Sequence, residues 1–173
     1  TMKGCNVNTY NLNITQGEPV SVEVGFMAQT GSWFSGNATA VTAGSNRPYL
    51  WSDATLQIPG ATTQESVKNL SLSINNNFVG PHYVNGSRVI QVPYPLNLDI
   101  TLTATQDIDS NSAGSLYDTY FKGGSTFNAI LDINNTTNTG SARLLVTMSG
   151  YKLTEMEVPA NVGGVSETTY TII

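Results

Sequence analysis

The acidic and amide side chains with the most regular spacing lie between residues 107 and 118. Asp107, Asp109 and Asn111 alternate, and Asp118 follows eleven residues after Asp107. This spacing matches positions 1, 3, 5 and 12 of a calcium-binding loop. Such a loop needs glycine where this chain has Ser112, and it prefers glutamate at its last position. Acidic and hydroxyl residues also favour the start of a helix, and we interpret the run in that way.

The chain offers few groups for catalysis. Cys5 is the only cysteine and His82 the only histidine, and such a pair needs a third group to orient the imidazole. No neighbour in sequence supplies that group, so we interpret Cys5 as a packed or inert thiol and His82 as a loop residue. Glu155 and Glu157 alternate along a strand pattern, which places both carboxylates on its solvent face. We predict no enzyme activity, no cofactor and no metal.

The composition is unusually poor in charge. Charged residues make up 11% of the 173 residues, against about 25% in an average soluble protein. Serine, threonine and asparagine together account for 56 residues, and 7 Lys+Arg against 12 Asp+Glu give a net charge of −5. A protein that grips nucleic acid needs a basic stripe, whereas these cations are scattered singly. No run approaches the 18 apolar residues typical of a membrane-spanning helix, so neither nucleic acid nor membrane is predicted as a binding partner.

Alternation of apolar and polar residues predicts β-strands along most of the chain. We expect each apolar face to be buried and each polar face to meet water, as in antiparallel sheets. The predicted inward residues are Val20, Val22, Val24 and Phe26; Leu70, Leu72 and Ile74; Leu96, Leu98, Ile100 and Leu102; Phe127, Ala129, Leu131 and Ile133; and Leu144, Val146 and Met148.

Two segments depart from the strand pattern. Residues 112–122 place Leu116 and Tyr120 at helical spacing before Gly123-Gly124, which predicts one short α-helix with Ser110 or Ser112 at its N-cap. Residues 30–48 are rich in glycine, serine and alanine, and a loop of that length is usually functional or disordered.

Aromatic residues are concentrated at this loop. It carries Trp33 and Phe34, and Tyr49 and Trp51 follow it. Exposed aromatic side chains suggest a contact surface, and we predict that the loop contacts a neighbouring subunit or ring. The alternative is that Trp33 and Trp51 cap one end of a sandwich.

The elements together predict one all-β domain over residues 1–173. It is an antiparallel β-sandwich or open barrel with one short α-helix and a long loop at about 30–48.

The order of the motifs carries a resemblance to a known family. The motifs are Gly4-Cys5-Asn6 before a strand, turn and second strand to residue 24; the strand at 65–77 with Asn75-Asn76-Asn77 at its end; Gly86-Ser87-Arg88 before an alternating strand; and the helix-like residues 116–121 before Gly123-Gly124. In this order the chain resembles the tail tube (major tail) proteins of long-tailed viruses of bacteria and archaea. The resemblance covers essentially the whole chain.

The resemblance implies a structural virion protein. Six copies would form a ring around a channel lined by one sheet from each copy, and rings would stack into a tube. Its partners would be further copies and the other tail proteins, namely the terminator, the baseplate or tip and the tape measure. Viral DNA would pass through the lumen without specific binding, which the low charge and few cations favour. The protein would be assembled in the host cytoplasm and reside in the virion tail.

Assembly contacts are expected at the aromatic residues near the loop and on the two strands with the cleanest alternation. The candidates are Trp33, Phe34, Trp51, Leu72, Asn77, Thr101 and Thr103. The strands at residues 70–77 and 96–105 are predicted to pair with neighbouring subunits and close a ring-shaped β-barrel, because unpaired strand edges are a liability.

An alternative function is a secreted or cell-surface β-sandwich binding module, glycan-binding or adhesin-like. In that case Trp33, Phe34, Tyr49 and Trp51 would form the glycan platform.

Overall fold

The computed structural model describes residues 2–32, 47–59, 63–64, 66–81, 89, 93–107, 116–135, 142–157 and 167–173. These residues form eleven β-strands, one 3₁₀ turn and one π-helix, which confirms the predicted all-β class. Within them, no helix has both the length and the apolar character that crossing a membrane requires.

The strands follow one another along the chain with short or intermediate connections. They are β1 (Met2–Lys3), β2 (Asn6–Thr15), β3 (Ser21–Met27), β4 (Thr30–Gly31), β5 (Ala54–Gln57), β6 (Val67–Asn75), β7 (Asp99–Asp107), β8 (Phe127–Asn135), β9 (Ala142–Tyr151), β10 (Leu153–Glu157) and β11 (Glu167–Ile172). The 3₁₀ turn spans Trp51–Asp53 and the π-helix spans Leu116–Lys122.

Three sheets result from the pairing of these strands. A six-stranded sheet has the order β10-β11-β7-β6-β2-β3, a three-stranded sheet has the order β5-β8-β9, and β1 pairs with β4. The strands β6 and β7 therefore lie inside the six-stranded sheet, with a backbone partner from the same chain on each side. The prediction that they pair with neighbouring subunits is wrong for this reason, and the edges of the sheet are β3 and β10.

The chain divides into two compact units. Unit 1 consists of Thr1–Asn11, Val22–Ser45 and Ser73–Ile100, and unit 2 consists of Leu12–Ser21, Asn46–Leu72 and Thr101–Ile173.

Unit 2 contains a hydrophobic core between two sheets. Its buried side chains come from alternate positions of the six-stranded sheet, such as Leu72, Leu102 and Tyr170, and of the three-stranded sheet, such as Leu56 and Leu131. The predicted inward residues of β8 are all buried or nearly so, because β8 is flanked by β5 and β9. The buried ring of Tyr170 lies within 3.4 Å of the Gln106 side chain through its hydroxyl, and burial raises the pKa of this hydroxyl.

Unit 1 has a different construction. Every buried hydrophobic residue of the described chain lies in unit 2, and in the described part of unit 1 the one buried residue is Pro93. Its backbone is nevertheless ordered by short-range pairing, with β1 against β4 and a hydrogen bond from Gln29 N to Lys3 O of 3.1 Å. Hydrogen bonds rather than buried side chains therefore define this unit.

The helical segment was predicted in the right place but with the wrong type. In the described chain it begins at Leu116 and is a π-helix rather than an α-helix; both predicted N-caps, Ser110 and Ser112, lie outside the described residues. The wider turn is closed by Gly123 N, which donates to Asp118 O five residues earlier at 3.2 Å. A Cβ atom at residue 123 would lie 2.5 Å from Thr119 O, so glycine is what allows this closure.

Two of the predicted apolar faces are not buried. Val22 and Phe26 of β3 are exposed, because β3 is the edge strand and no described element covers that face. Leu96 and Leu98 are exposed too, since β7 begins only at Asp99.

Candidate assembly surfaces

Exposed apolar side chains are concentrated in unit 1. Thirteen large hydrophobic residues of the described chain are exposed, and nine of these lie in unit 1. They are Met2, Val7, Val22, Phe26, Val79, Val89, Tyr94, Leu96 and Leu98. Soluble monomers rarely expose so many apolar groups in one region, and such a surface marks a site of association.

The edge strand β3 presents part of this surface. Val22 and Phe26 point to the same side of the strand, and Phe26 is 61% exposed. β2 is the one strand that pairs with β3 in the part of the chain that the structure describes. An edge with unpaired backbone groups and apolar side chains is a template for pairing with another chain. Glu23, on the opposite side of the strand, is its only charged residue.

A second part of the surface is the extended segment of residues 94–98, which precedes β7. Tyr94, Leu96 and Leu98 each expose more than half of their side chains. Prolines at positions 93 and 95 explain why this segment is not a strand, since each removes a backbone donor from the ladder.

Hydrogen bonds hold this segment in place at both ends. Val79 N donates to Tyr94 O at 3.0 Å, and Tyr94 N donates to Val79 O at 2.9 Å. Asn77 Nδ2 donates to Asn97 O at 2.8 Å. The apolar side chains are therefore displayed on an ordered backbone, so little conformational entropy remains to be lost on binding.

Asn77, one of the predicted assembly contacts, is engaged within its own unit. Its backbone is in the left-handed region, with φ of 47°. Its N–H donates to Asn75 Oδ1 at 2.9 Å, and its Nδ2 also donates to Asp99 Oδ2 at 2.6 Å. Asparagine tolerates this backbone conformation better than most residues do.

We expect Asn77→Ala to lower the free energy of unfolding by about 1–2 kcal/mol, because alanine pays the full cost of left-handed backbone. Asn77→Gly should lower it less, since glycine adopts positive φ freely. Urea denaturation of both variants measures the difference. Equal losses in the two variants would show that the backbone conformation is not the cause.

Trp51 is held at the surface by the neighbouring ion pair. Arg47 Nη2 lies 2.8 Å from Asp53 Oδ1 and its Nη1 lies 2.9 Å from Asp53 Oδ2, while Leu50 N donates to the same carboxylate at 2.9 Å. The hydrogen bond from Arg47 lowers the pKa of Asp53. These bonds fix the 3₁₀ turn, and they leave Trp51 41% exposed. Tyr49 is half-buried; Trp33 and Phe34 lie outside the described residues.

The outer face of the six-stranded sheet in unit 2 is covered by hydroxyl and amide groups. Thr103 lies opposite Thr171, and Thr105 opposite Thr169; the hydroxyl oxygens of the second pair are 3.1 Å apart. Thr101 continues the row on β7 and is half-buried, like Thr103. This face meets water without apolar side chains and without cations.

Leu72, in contrast, belongs to the core of unit 2, where its side chain is fully buried. The structure therefore assigns this side chain to packing within the subunit.

The negative charge of the protein is concentrated in the six-stranded sheet. The six strands contain one cation, Lys68, and six acids: Glu23, Asp99, Asp107, Glu155, Glu157 and Glu167. One minus six is −5, which equals the net charge of the whole chain. The remaining six acids and six cations balance. As predicted, Glu155 and Glu157 are exposed.

The single cation of this sheet is neutralised by its neighbours. Lys68 Nζ lies 2.6 Å from Asp107 Oδ1 and 2.6 Å from Glu167 Oε1. These hydrogen bonds, that with Asp107 first, raise the pKa of Lys68. The cluster carries a net charge of −1, so it offers no positive site to a phosphate.

The groups considered for catalysis do not come together. Cys5 is exposed rather than packed; His82, Asp109 and Asn111 lie outside the described residues. Asp107, the first position of the calcium-like pattern, is bonded to Lys68. Among the residues that the structure describes, no three His, Cys, Asp or Glu side chains could hold a metal ion together.

Sequence reasoning missed Val22, Phe26, Leu96 and Leu98 as surface residues. For Leu96 and Leu98 a signal was present, because the prolines at positions 93 and 95 argue against a paired strand. For Val22 and Phe26 there was none, since alternation does not show which strand lies at the edge of a sheet.

No curated protein matches this chain significantly. A family match covers nearly its whole length: residues 1–171 match the family described as phage tail tube protein.

Proposed function

The chain belongs to the phage tail tube protein family, and from this premise we propose that six copies form a ring and that rings stack into a tube for viral DNA. As a member of the family, the chain is a structural tail tube subunit of the virion and not an enzyme. It assembles with itself and with other tail proteins. We propose the terminator, the tip or baseplate and the tape measure as those partners, and the host cytoplasm as the place of assembly.

The observation that carries the proposal is the charge of the six-stranded sheet. A channel for DNA must not retain phosphates, because each phosphate neutralised by a cation adds to affinity. This sheet holds all of the net charge, and its one cation is bonded to two carboxylates. We propose that its hydroxyl-covered face, with Thr101 and Thr103, lines the channel.

The exposed apolar side chains of unit 1 support self-assembly. A unit that buries almost nothing within itself gains stability when a neighbour covers Phe26 or Leu98. We propose that unit 1 carries contacts between subunits, and that Trp51, Trp33 and Phe34 contribute further contacts near the loop.

Electron microscopy of the purified protein tests the proposal directly. Hollow tubes with six-fold symmetric cross-sections are expected above a critical concentration. Protein that stays monomeric over the whole accessible concentration range would contradict it.

Placing cations on the channel face should slow DNA passage. We expect phage with Thr103→Lys and Thr171→Lys to eject their genome about tenfold more slowly or worse at low salt, with recovery at high salt. The matched control is Thr147→Lys, which puts the same charge on the exposed side of β9, outside the six-stranded sheet. Ejection is followed by the fluorescence of a DNA-binding dye. Equal rates in variant and control phage would remove this sheet from the channel wall.

A further inference from the structure

Unit 2 contains an open cavity that its own side chains do not fill. Its volume is about 220 Å³, and Leu56, Leu70 and Leu131 contribute apolar walls. Trp51 and Ser52 also line it and are exposed, so the cavity opens to solvent at the 3₁₀ turn. A water molecule occupies about 30 Å³ in the liquid, and the cavity is therefore large enough for an apolar side chain.

The cavity also contains a buried acceptor that lacks a donor. Gln64 lines the wall and is 7% exposed. Its N–H donates to Leu56 O at 2.8 Å, and its Nε2 donates to Ile58 O. Its Oε1 has no partner among the described residues. A buried carbonyl without a donor is costly, and an incoming group with an N–H or O–H would relieve this cost.

We propose that this cavity receives the 94–98 segment of a second copy of the chain. The proposal rests on the proposed function, because self-assembly is what brings a second copy to the cavity. The segment is ordered by its bonds to Val79 and Asn77, and it displays Leu96 and Leu98, 63% and 57% exposed. It also carries donors for Gln64, the Tyr94 hydroxyl and the Asn97 amide.

The contact is heterologous, since the segment and the cavity are different surfaces of one chain. A heterologous contact leaves a free segment on one partner and a free cavity on the other, so it continues into a ring or a filament. A symmetric dimer contact would stop after two copies. The juxtaposition therefore suits a chain that builds a polymer from identical subunits.

Cross-linking between two engineered cysteines tests the contact. With Cys5→Ser as background, copies carrying Ser52→Cys are mixed with copies carrying Leu98→Cys and allowed to assemble. We expect the mixed pair to cross-link at least about tenfold faster than a control mixture of Tyr117→Cys and Leu98→Cys. Tyr117 is also exposed and in unit 2, but it does not line the cavity. Equal rates in the two mixtures would overturn the proposal.

A complementation experiment distinguishes a heterologous contact from a symmetric one. Ser52→Trp fills the mouth of the cavity, and Leu96→Asp with Leu98→Asp disables the segment; each variant alone should not polymerise. Their mixture retains one intact cavity and one intact segment, and it should form heterodimers that grow no further, visible by mass photometry. Polymerisation of Ser52→Trp like the parent would overturn the contact and leave the tube function standing. A parent chain that never assembles would overturn both.

Discussion

Phe26→Asp is expected to keep purified subunits dispersed at concentrations at which the parent chain polymerises. Phe26 is the most exposed side chain of the apolar face of β3, and covering a phenylalanine contributes about 1.5–3 kcal/mol. An aspartate at the same place would also bring an unpaired charge into the contact. We expect the critical concentration to rise by at least about 100-fold.

The matched control for this variant is Ser21→Asp. It adds the same charge to the same strand, but residue 21 points to the other side of β3. Light scattering and electron microscopy measure assembly, and circular dichroism shows that each variant is folded. A critical concentration for Phe26→Asp close to the parent's would mean that this face stays exposed in the assembly.

Leu131→Ala should lower the free energy of unfolding by about 3–5 kcal/mol. Leu131 is 1% exposed in the core of unit 2, and truncating a buried leucine removes apolar contacts and leaves a cavity. Leu145→Ala, on the neighbouring strand β9 and exposed, is the control and should change the free energy of unfolding by less than about 1 kcal/mol.

Assembly would mask this difference, because association stabilises the folded chain. The two leucine variants are therefore compared in the Phe26→Asp background by urea denaturation. Similar midpoints and slopes for both would contradict the core assignment.

The alternation of β8 was sufficient to predict its burial, whereas that of β3 was not. Both strands show an apolar face in sequence. In β8 that face is covered because β5 and β9 flank it and the core of unit 2 lies against it. In β3 the same pattern leads to exposed Val22 and Phe26. Alternation reports that one face of a strand is apolar, and it does not report whether the same chain or another chain covers that face.

Sheet order was the other quantity that local patterns could not supply. The strands β6 and β7 have clean alternation, and we predicted them as the edges that pair between subunits; long-range pairing with β2 and β11 places them inside the sheet. The distribution of charge has the same origin. Lys68, Asp107 and Glu167 are up to 99 residues apart in sequence, and only the sheet brings them together.

The near absence of buried residues from unit 1 has a kinetic meaning. A segment held mainly by hydrogen bonds opens locally at low cost, so a lone subunit spends part of its time with an unformed binding surface. Two such subunits must both be formed when they meet, whereas a subunit that adds to a finished ring finds its template already rigid. Nucleation should therefore be slow and elongation fast, which leaves a pool of unused subunits until a seed appears. Polymerisation kinetics should then show a lag phase that preformed rings abolish.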